Sequence, residues 1–169
     1  MIREIDPSEF DLVWPILKRA FDGGDVFAPG PETTLEEGQR YWAAPPARLF
    51  VAEENGEVVG SYTLRPNQRG LGDHVANAGY VVSPEARGRG IARAMCEHSI
   101  ATARAAGFTA MQFNYVVATN EAAVRLWQRC GFRIVGRVPM AFRHRTLGPV
   151  DTLIMWRALD APEVPTSDK

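Results

Sequence analysis

Apolar and polar residues alternate through Met1-Ile-Arg-Glu-Ile5, and that period of two predicts a first strand. Asp6-Pro7-Ser8 reads as a helix entry, with proline in the first turn. Phe10, Val13, Trp14, Leu17, Ala20 and Phe21 then fall at helical spacing, and Pro15 among them predicts a kink or a split. Asp22-Gly-Gly-Asp25 ends this element, and residues 25–32 are expected to be a loop. A second helix is expected over 34–43, stopped by Pro45-Pro46. Residues 48–53 and 57–64 read as strands around Asn55-Gly56, a tight-hairpin signal. A polar loop over 65–73 precedes a strand over 74–82, in which Gly79 suggests a bulge. A helix is expected over 90–106, its wide, mostly apolar surface suited to packing on a sheet, with Gly107 as its stop. A strand over 108–117 leads to a short helix opened by Asn120 and closed by Gly131, with Ala123, Leu126, Trp127 and Cys130 on its buried side. Strands over 132–138 and 150–159 flank a basic loop at 140–149, and residues 160–169 are expected to be a disordered tail.

The resulting order, β-α-α-β-β-β-α-β-α-β-β, predicts a mixed α/β sheet with helices on both faces. Pairing should be antiparallel around the hairpin and parallel in the strand-helix-strand units of the second half. At 169 residues the chain fits one domain, over 1–159. A net charge of −1 gives no electrostatic footprint for nucleic acid or for a membrane surface. No apolar run approaches spanning length and the N-terminus lacks a signal-peptide core, so a cytoplasmic location is expected. Cys96 and Cys130 lack metal-ligand spacing and read as core residues in a reducing compartment; no metal is expected.

The candidate chemistry lies in Tyr80-Val-Val-Ser-Pro-Glu-Ala-Arg-Gly-Arg-Gly-Ile-Ala92, where a strand delivers the chain through a glycine-rich turn to a helix. The first N–H groups of a helix are unpartnered and its dipole favours negative charge. Gly88 and Gly90 admit close approach, and Arg87 and Arg89 add positive charge, so a diphosphate is the natural guest. The Lys-Ser/Thr of a P-loop is absent, and Arg93 stands where the dinucleotide fingerprint needs a third small residue. The segment Arg87-Gly-Arg-Gly90-Ile-Ala92, preceded by Val82-Ser-Pro84, instead resembles the acyl-CoA motif of the GCN5-related N-acetyltransferase family. Asn120-Glu-Ala-Ala-Val-Arg-Leu-Trp-Gln-Arg-Cys-Gly-Phe132 resembles that family's second signature. The resemblance covers residues 48–138 well and the flanks loosely.

The resemblance implies an acetyl-CoA-dependent N-acetyltransferase acting on the amine of a small molecule, an amino acid or analogue among the candidates. By resemblance, Arg87, Gly88, Arg89, Gly90, Ile91 and Ala92 hold the pyrophosphate, the backbone of Val81 and Val82 pairs with the pantetheine arm, and Asn120 contacts that arm. Asn120 also reads as a plain helix cap. Phe27, Tyr41 and Trp42 are either core or the acceptor wall. Two departures weaken the catalytic assignment. The family's frequent tyrosine, a candidate acid for the departing thiolate, is Trp127, whose indole is no useful acid. The family's strand glutamate is missing from Val75-Ala-Asn-Ala78, leaving His74 as the nearest candidate base, or a surface residue. Asn77 and Asn114, unusual inside strands, are expected either to bond neighbouring backbone or to orient the acceptor. A CoA-binding or acyl-sensing module without turnover, and a protein N-terminal or lysine acetyltransferase, are the alternatives; a homodimer is left open.

Overall fold

The computed structural model describes residues 1–159, and the tail expected at 160–169 lies outside the described residues. The elements are β1 (Ile2–Ile5), α1 (Trp14–Gly23), α2 (Leu35–Ala43), β2 (Arg48–Glu54), β3 (Glu57–Pro66), β4 (Val75–Val82), α3 (Ile91–Ala105), β5 (Ala110–Val117), α4 (Glu121–Arg129), β6 (Arg133–His144) and β7 (Gly148–Ala158). They follow the expected order. Pro15 splits the first helical pattern as its missing N–H requires: a 3-10 turn over Pro7–Leu12 ends at Val13, and α1 restarts with the proline in its first turn.

The seven strands form one sheet in the order β1-β2-β3-β4-β5-β7-β6. Strands β1 to β4 are antiparallel neighbours, and β4 and β5 are parallel. Of the strand-helix-strand units of the second half expected to pair in parallel, β4-α3-β5 does and β5-α4-β6 does not. Strand β7 inserts between β5 and β6 and is antiparallel to both, so the unit β5-α4-β6 skips a strand. The loop expected at 140–149 is also corrected. Strands β6 and β7 form one long hairpin in which His144 pairs with Gly148. Strand β6 is exposed along most of its length, so no hydrophobic alternation marks it, and its register shifts twice.

Each face of the sheet carries a core. Phe50, Tyr62, Leu64 and Ala78 pack under α3, whose buried Met95, Cys96, Ser99, Ile100 and Ala103 form a helical stripe. On the opposite face Leu49, Val51 and Val81 pack under α1 and α2 with Phe10, Leu17, Phe21 and Trp42. Gly79 makes no bulge: it sits in unbroken register opposite Thr63. A Cβ there would come within 3.3 Å of the Trp42 indole, so the glycine lets the ring lie against the strand.

Candidate active site

Strands β4 and β5 share only two rungs, Val75 with Ala110 and Ala76 with Met111, before they part. Beyond Ala76 the other edge of β4 stays fully paired to β3, through Gly60 opposite Val82. The edge facing β5 is left open to a cleft of about 790 Å³. On the β5 side, the register to β7 shifts between Phe113 and Val116, so Asn114 and Tyr115 are bulged and exposed on the cleft wall.

At the outer end of β4 the chain turns through Pro84–Ala86 into α3. Gly90 is the N-terminal cap of α3 at φ 80° and Gly88 has φ 77°, a region that L side chains rarely adopt. An added Cβ at either position would meet nothing within 4 Å, so backbone conformation rather than crowding requires these glycines. No side chain caps α3 and no acidic residue lies in its first turn, which keeps its leading N–H groups available to an anion. Arg87, Gly88, Gly90, Ile91 and Ala92 line the cleft with Val81 and Val82. Arg89 does not. Its guanidinium pairs with Glu54 at 3.1 Å, so of the two arginines flanking Gly88 only Arg87 faces the cleft. Of the residues 87–92 expected to meet a diphosphate, all but Arg89 are therefore brought to the cleft.

Asn120 caps α4, accepting from Ala123 N–H at 3.4 Å, and also lines the cleft, so its two readings are compatible. Trp127 is 8% exposed and packs 4.8 Å from the Tyr80 ring and 5.4 Å from Phe113. Tyr80 does not replace the missing acid. Its hydroxyl lies 2.6 Å from Ser99 Oγ, whose own proton goes to the Cys96 carbonyl at 2.7 Å. Tyr80 is therefore the donor, aimed into the core, and burial holds its phenol well above the ordinary tyrosine value.

On the α1–α2 side the cleft is walled by Phe27, Tyr41 and Trp42. These are core residues too: Phe27 meets Trp42 edge-on at 5.7 Å, and Trp42 is 1% exposed with its indole N–H on Ser61 Oγ. At the closed end of the splay, Asn77 Nδ2 donates to the Gln112 carbonyl at 2.9 Å, bridging the strands where their pairing stops. Asn114 joins Asn67 at 2.6 Å and Gln112 at 2.9 Å. Both asparagines line the cleft and both have local partners, so neither sequence reading displaces the other. His74 is exposed in the turn before β4, its carbonyl accepting from Thr109, and it is not part of the cleft wall. Among the described residues, no Asp, Glu or His lines the cleft. Sequence reasoning missed Thr63, Arg65, Asn67 and Tyr115. Residues 65–67 read as a loop because Pro66 and Asn67 are turn formers, whereas β3 continues through Pro66.

Among the described residues, no cluster of three His, Cys, Asp or Glu could hold a metal, and no helix is long and apolar enough to cross a membrane. Residues 10–132 match the model of the acetyltransferase (GNAT) family. A GCN5-related N-acetyltransferase from Kribbella flavida is 40% identical and superimposes with a TM-score of 0.87 over 94% of this chain and 96% of that one. A GNAT superfamily phosphinothricin acetyltransferase from Sinorhizobium meliloti, solved in complex with acetyl-CoA, is 20% identical, with a TM-score of 0.79 over 94% and 87% of the two chains. A mycothiol acetyltransferase of Thermobispora bispora is 33% identical over 140 residues, 78% of this chain and 45% of the relative. The chain spans less than half the length of the curated relatives it matches.

Proposed function

Since this chain belongs to the acetyltransferase (GNAT) family, we propose that it transfers the acetyl group of acetyl-CoA to the amine of a small molecule. The observation that carries the proposal is the two-rung splay of β4 and β5, ending at the uncapped N-terminus of α3. Bound acetyl-CoA supplies the activated acetyl group. The leading N–H groups of α3, with Arg87, hold its diphosphate. The open edge of β4 at Val81 and Val82 offers backbone groups to the pantetheine amides, as an added strand would use them. A β4 N–H beside the thioester polarises its carbonyl and stabilises the oxyanion. The amine lone pair attacks the carbonyl carbon, the C–N bond forms, and the C–S bond breaks to release the thiolate. At a thiol pKa of ~8.5 the thiolate is a fair leaving group without a dedicated acid. The enclosed aromatic wall favours a small acceptor. The lack of carboxylates along the cleft among the described residues disfavours a basic peptide.

With no carboxylate or imidazole on the cleft wall among the described residues, the amine arrives as the free base on this reading, and its proton leaves to solvent. Below the acceptor's own amine pKa, kcat/KM for the acceptor should rise about tenfold per pH unit. Exchanging the acceptor for one of different basicity should move the profile by the difference, and His74→Ala should leave it unchanged. A fixed inflection near ~6.5, the same for every acceptor, would instead reveal a protein base.

Asn77 and Asn114 are assigned the orientation of the acceptor. Asn114→Ala is expected to raise the acceptor KM roughly 3- to 10-fold, the equivalent of one neutral hydrogen bond, with the KM for acetyl-CoA unchanged. Equal acceptor kinetics in the folded variant would return Asn114 to a purely structural role. Release of CoA thiol across an amine panel tests the proposal as a whole. Tight binding of acetyl-CoA with no thiol release from any amine would favour a sensing module.

A further inference from the structure

Thr63 Oγ1 and Arg65 Nε are buried in the cleft wall without a hydrogen-bond partner among the described residues. A third such atom, Thr152 Oγ1, lies elsewhere. Thr63 and Arg65 are two positions apart on β3, so their side chains leave the same face of the sheet. That face is the aromatic wall: Arg65 donates one Nη2 hydrogen to the Tyr41 carbonyl at 3.1 Å, and Gly79, opposite Thr63, carries the Trp42 ring. Several exposed arginines of this chain pair with carboxylates, among them Arg19 with Glu85 and Arg48 with Glu4. Arg65 is drawn partly out of water and, among the described residues, has no such partner. Burial pushes its pKa down, so the contacts it keeps do not offset the hydration it has lost. A buried donor without an acceptor and a cation without an anion are costly arrangements, and a ligand that satisfies both removes the cost.

Resting on the acetyltransferase reading above, we propose that Arg65 and Thr63 bind a carboxylate of the acceptor, so that the acetylated amine belongs to an amino-acid-like molecule. The guanidinium fork offers Nε–H and a free Nη–H to two carboxylate oxygens, and the Thr63 hydroxyl donates to one of them. Arg65 stands opposite Asn77, at the closed end of the splay. The α3 N-terminus lies beyond Val82 at the open end, five strand residues or roughly 17 Å away. The cleft is therefore positive at both ends, one for a diphosphate and one for a carboxylate, with the reacting atoms between.

The test uses the full chain with saturating acetyl-CoA and matched acceptors: free amino acids, their carboxamides and the corresponding decarboxylated amines. The carboxamides have the less basic amines and are intrinsically the more reactive at neutral pH, so a preference for free acids must come from the protein. The free acids are expected to be the better acceptors. Arg65→Gln should lower their kcat/KM on the order of 10- to 100-fold, the loss of a charge-assisted pair, with carboxamide rates and the KM for acetyl-CoA nearly unchanged. Arg65→Lys should recover part of the loss. Thr63→Val, which keeps the volume, should cost the free acids roughly 3- to 10-fold. Parental turnover of carboxamides equal to that of free acids, or a selectivity that Arg65→Gln does not alter, overturns the carboxylate site and leaves acetyl transfer standing. If no amine is acetylated, the transfer reading fails, and melting shifts of the CoA-bound protein decide the site. A shift given by free acids and lost in Arg65→Gln sustains it, and no shift overturns it.

Discussion

Gly90→Asp is expected to fold and to lose acetyl-CoA binding by about 100-fold or more. The new side chain meets nothing within 4 Å, so packing does not forbid it. Aspartate tolerates the left-handed conformation at φ 80° better than most residues, and it is a favourable helix cap. Its carboxylate would take the N–H groups of Ala92 or Arg93 and place a negative charge where the diphosphate is proposed to sit. Two like charges ~4 Å apart repel by ~1 kcal/mol in water and ~4 kcal/mol near a protein surface, enough for the loss expected. Gly90→Ala separates the two causes. It carries the backbone strain, ~1–2 kcal/mol, without the charge, and should keep most of the affinity. Calorimetric titration of both variants with acetyl-CoA decides the matter. Parental affinity in Gly90→Asp would place the diphosphate elsewhere.

Trp127→Ala should destabilise the protein by ~3–5 kcal/mol, lowering Tm by roughly 10 °C. The indole fills the angle between Tyr80 and Phe113 at 8% exposure, and the cavity left behind opens onto the cleft. Trp127→Phe keeps an aromatic surface there and should retain most of the stability and turnover. A large fall in kcat in a stably folded Trp127→Phe protein would mean that the indole N–H acts on the departing thiolate, contrary to the packing role assigned here.

The parts of the site legible in the sequence were those encoded locally. A strand, two glycines and a helix start are contiguous, so 80–92 could be read as an anion loop before any tertiary contact was known, and so could the cap at Asn120. The proposed acceptor end was not local. Arg65 belongs to one strand, Asn77 to its neighbour, and Tyr41 to a helix on the face above, and only pairing brings them together. Arg65 beside Pro66 and Asn67 looked like the start of a loop, and nothing along the chain marks an arginine whose partner is absent. Gly79 misled for a related reason: a glycine in a strand signals either a bulge or a close approach, and the Trp42 ring that decides between them is 37 positions away. The long β6–β7 hairpin escaped notice because a solvated strand carries no binary pattern.

The two shared rungs between β4 and β5 have a mechanical consequence. They are the backbone pairing that joins a block of four strands to a block of three, so the molecule is laid out as two stiff plates with a short seam. Packing beneath α3 and α4 holds the plates on one side. A chain-like cosubstrate lying along the open edge of β4 would act as a missing strand between them. Amide hydrogens in the outer halves of β4 and β5 should then exchange with deuterium quickly in the free protein and slowly once acetyl-CoA is added, while those at 75–76 and 110–111 change little. The wall proposed to receive the acceptor borrows one side from each plate, Arg65 and Asn77 from one and Asn114 from the other. On the proposed function, binding should be ordered, with acetyl-CoA first, because the second substrate would meet a finished pocket only after the first has fixed its width.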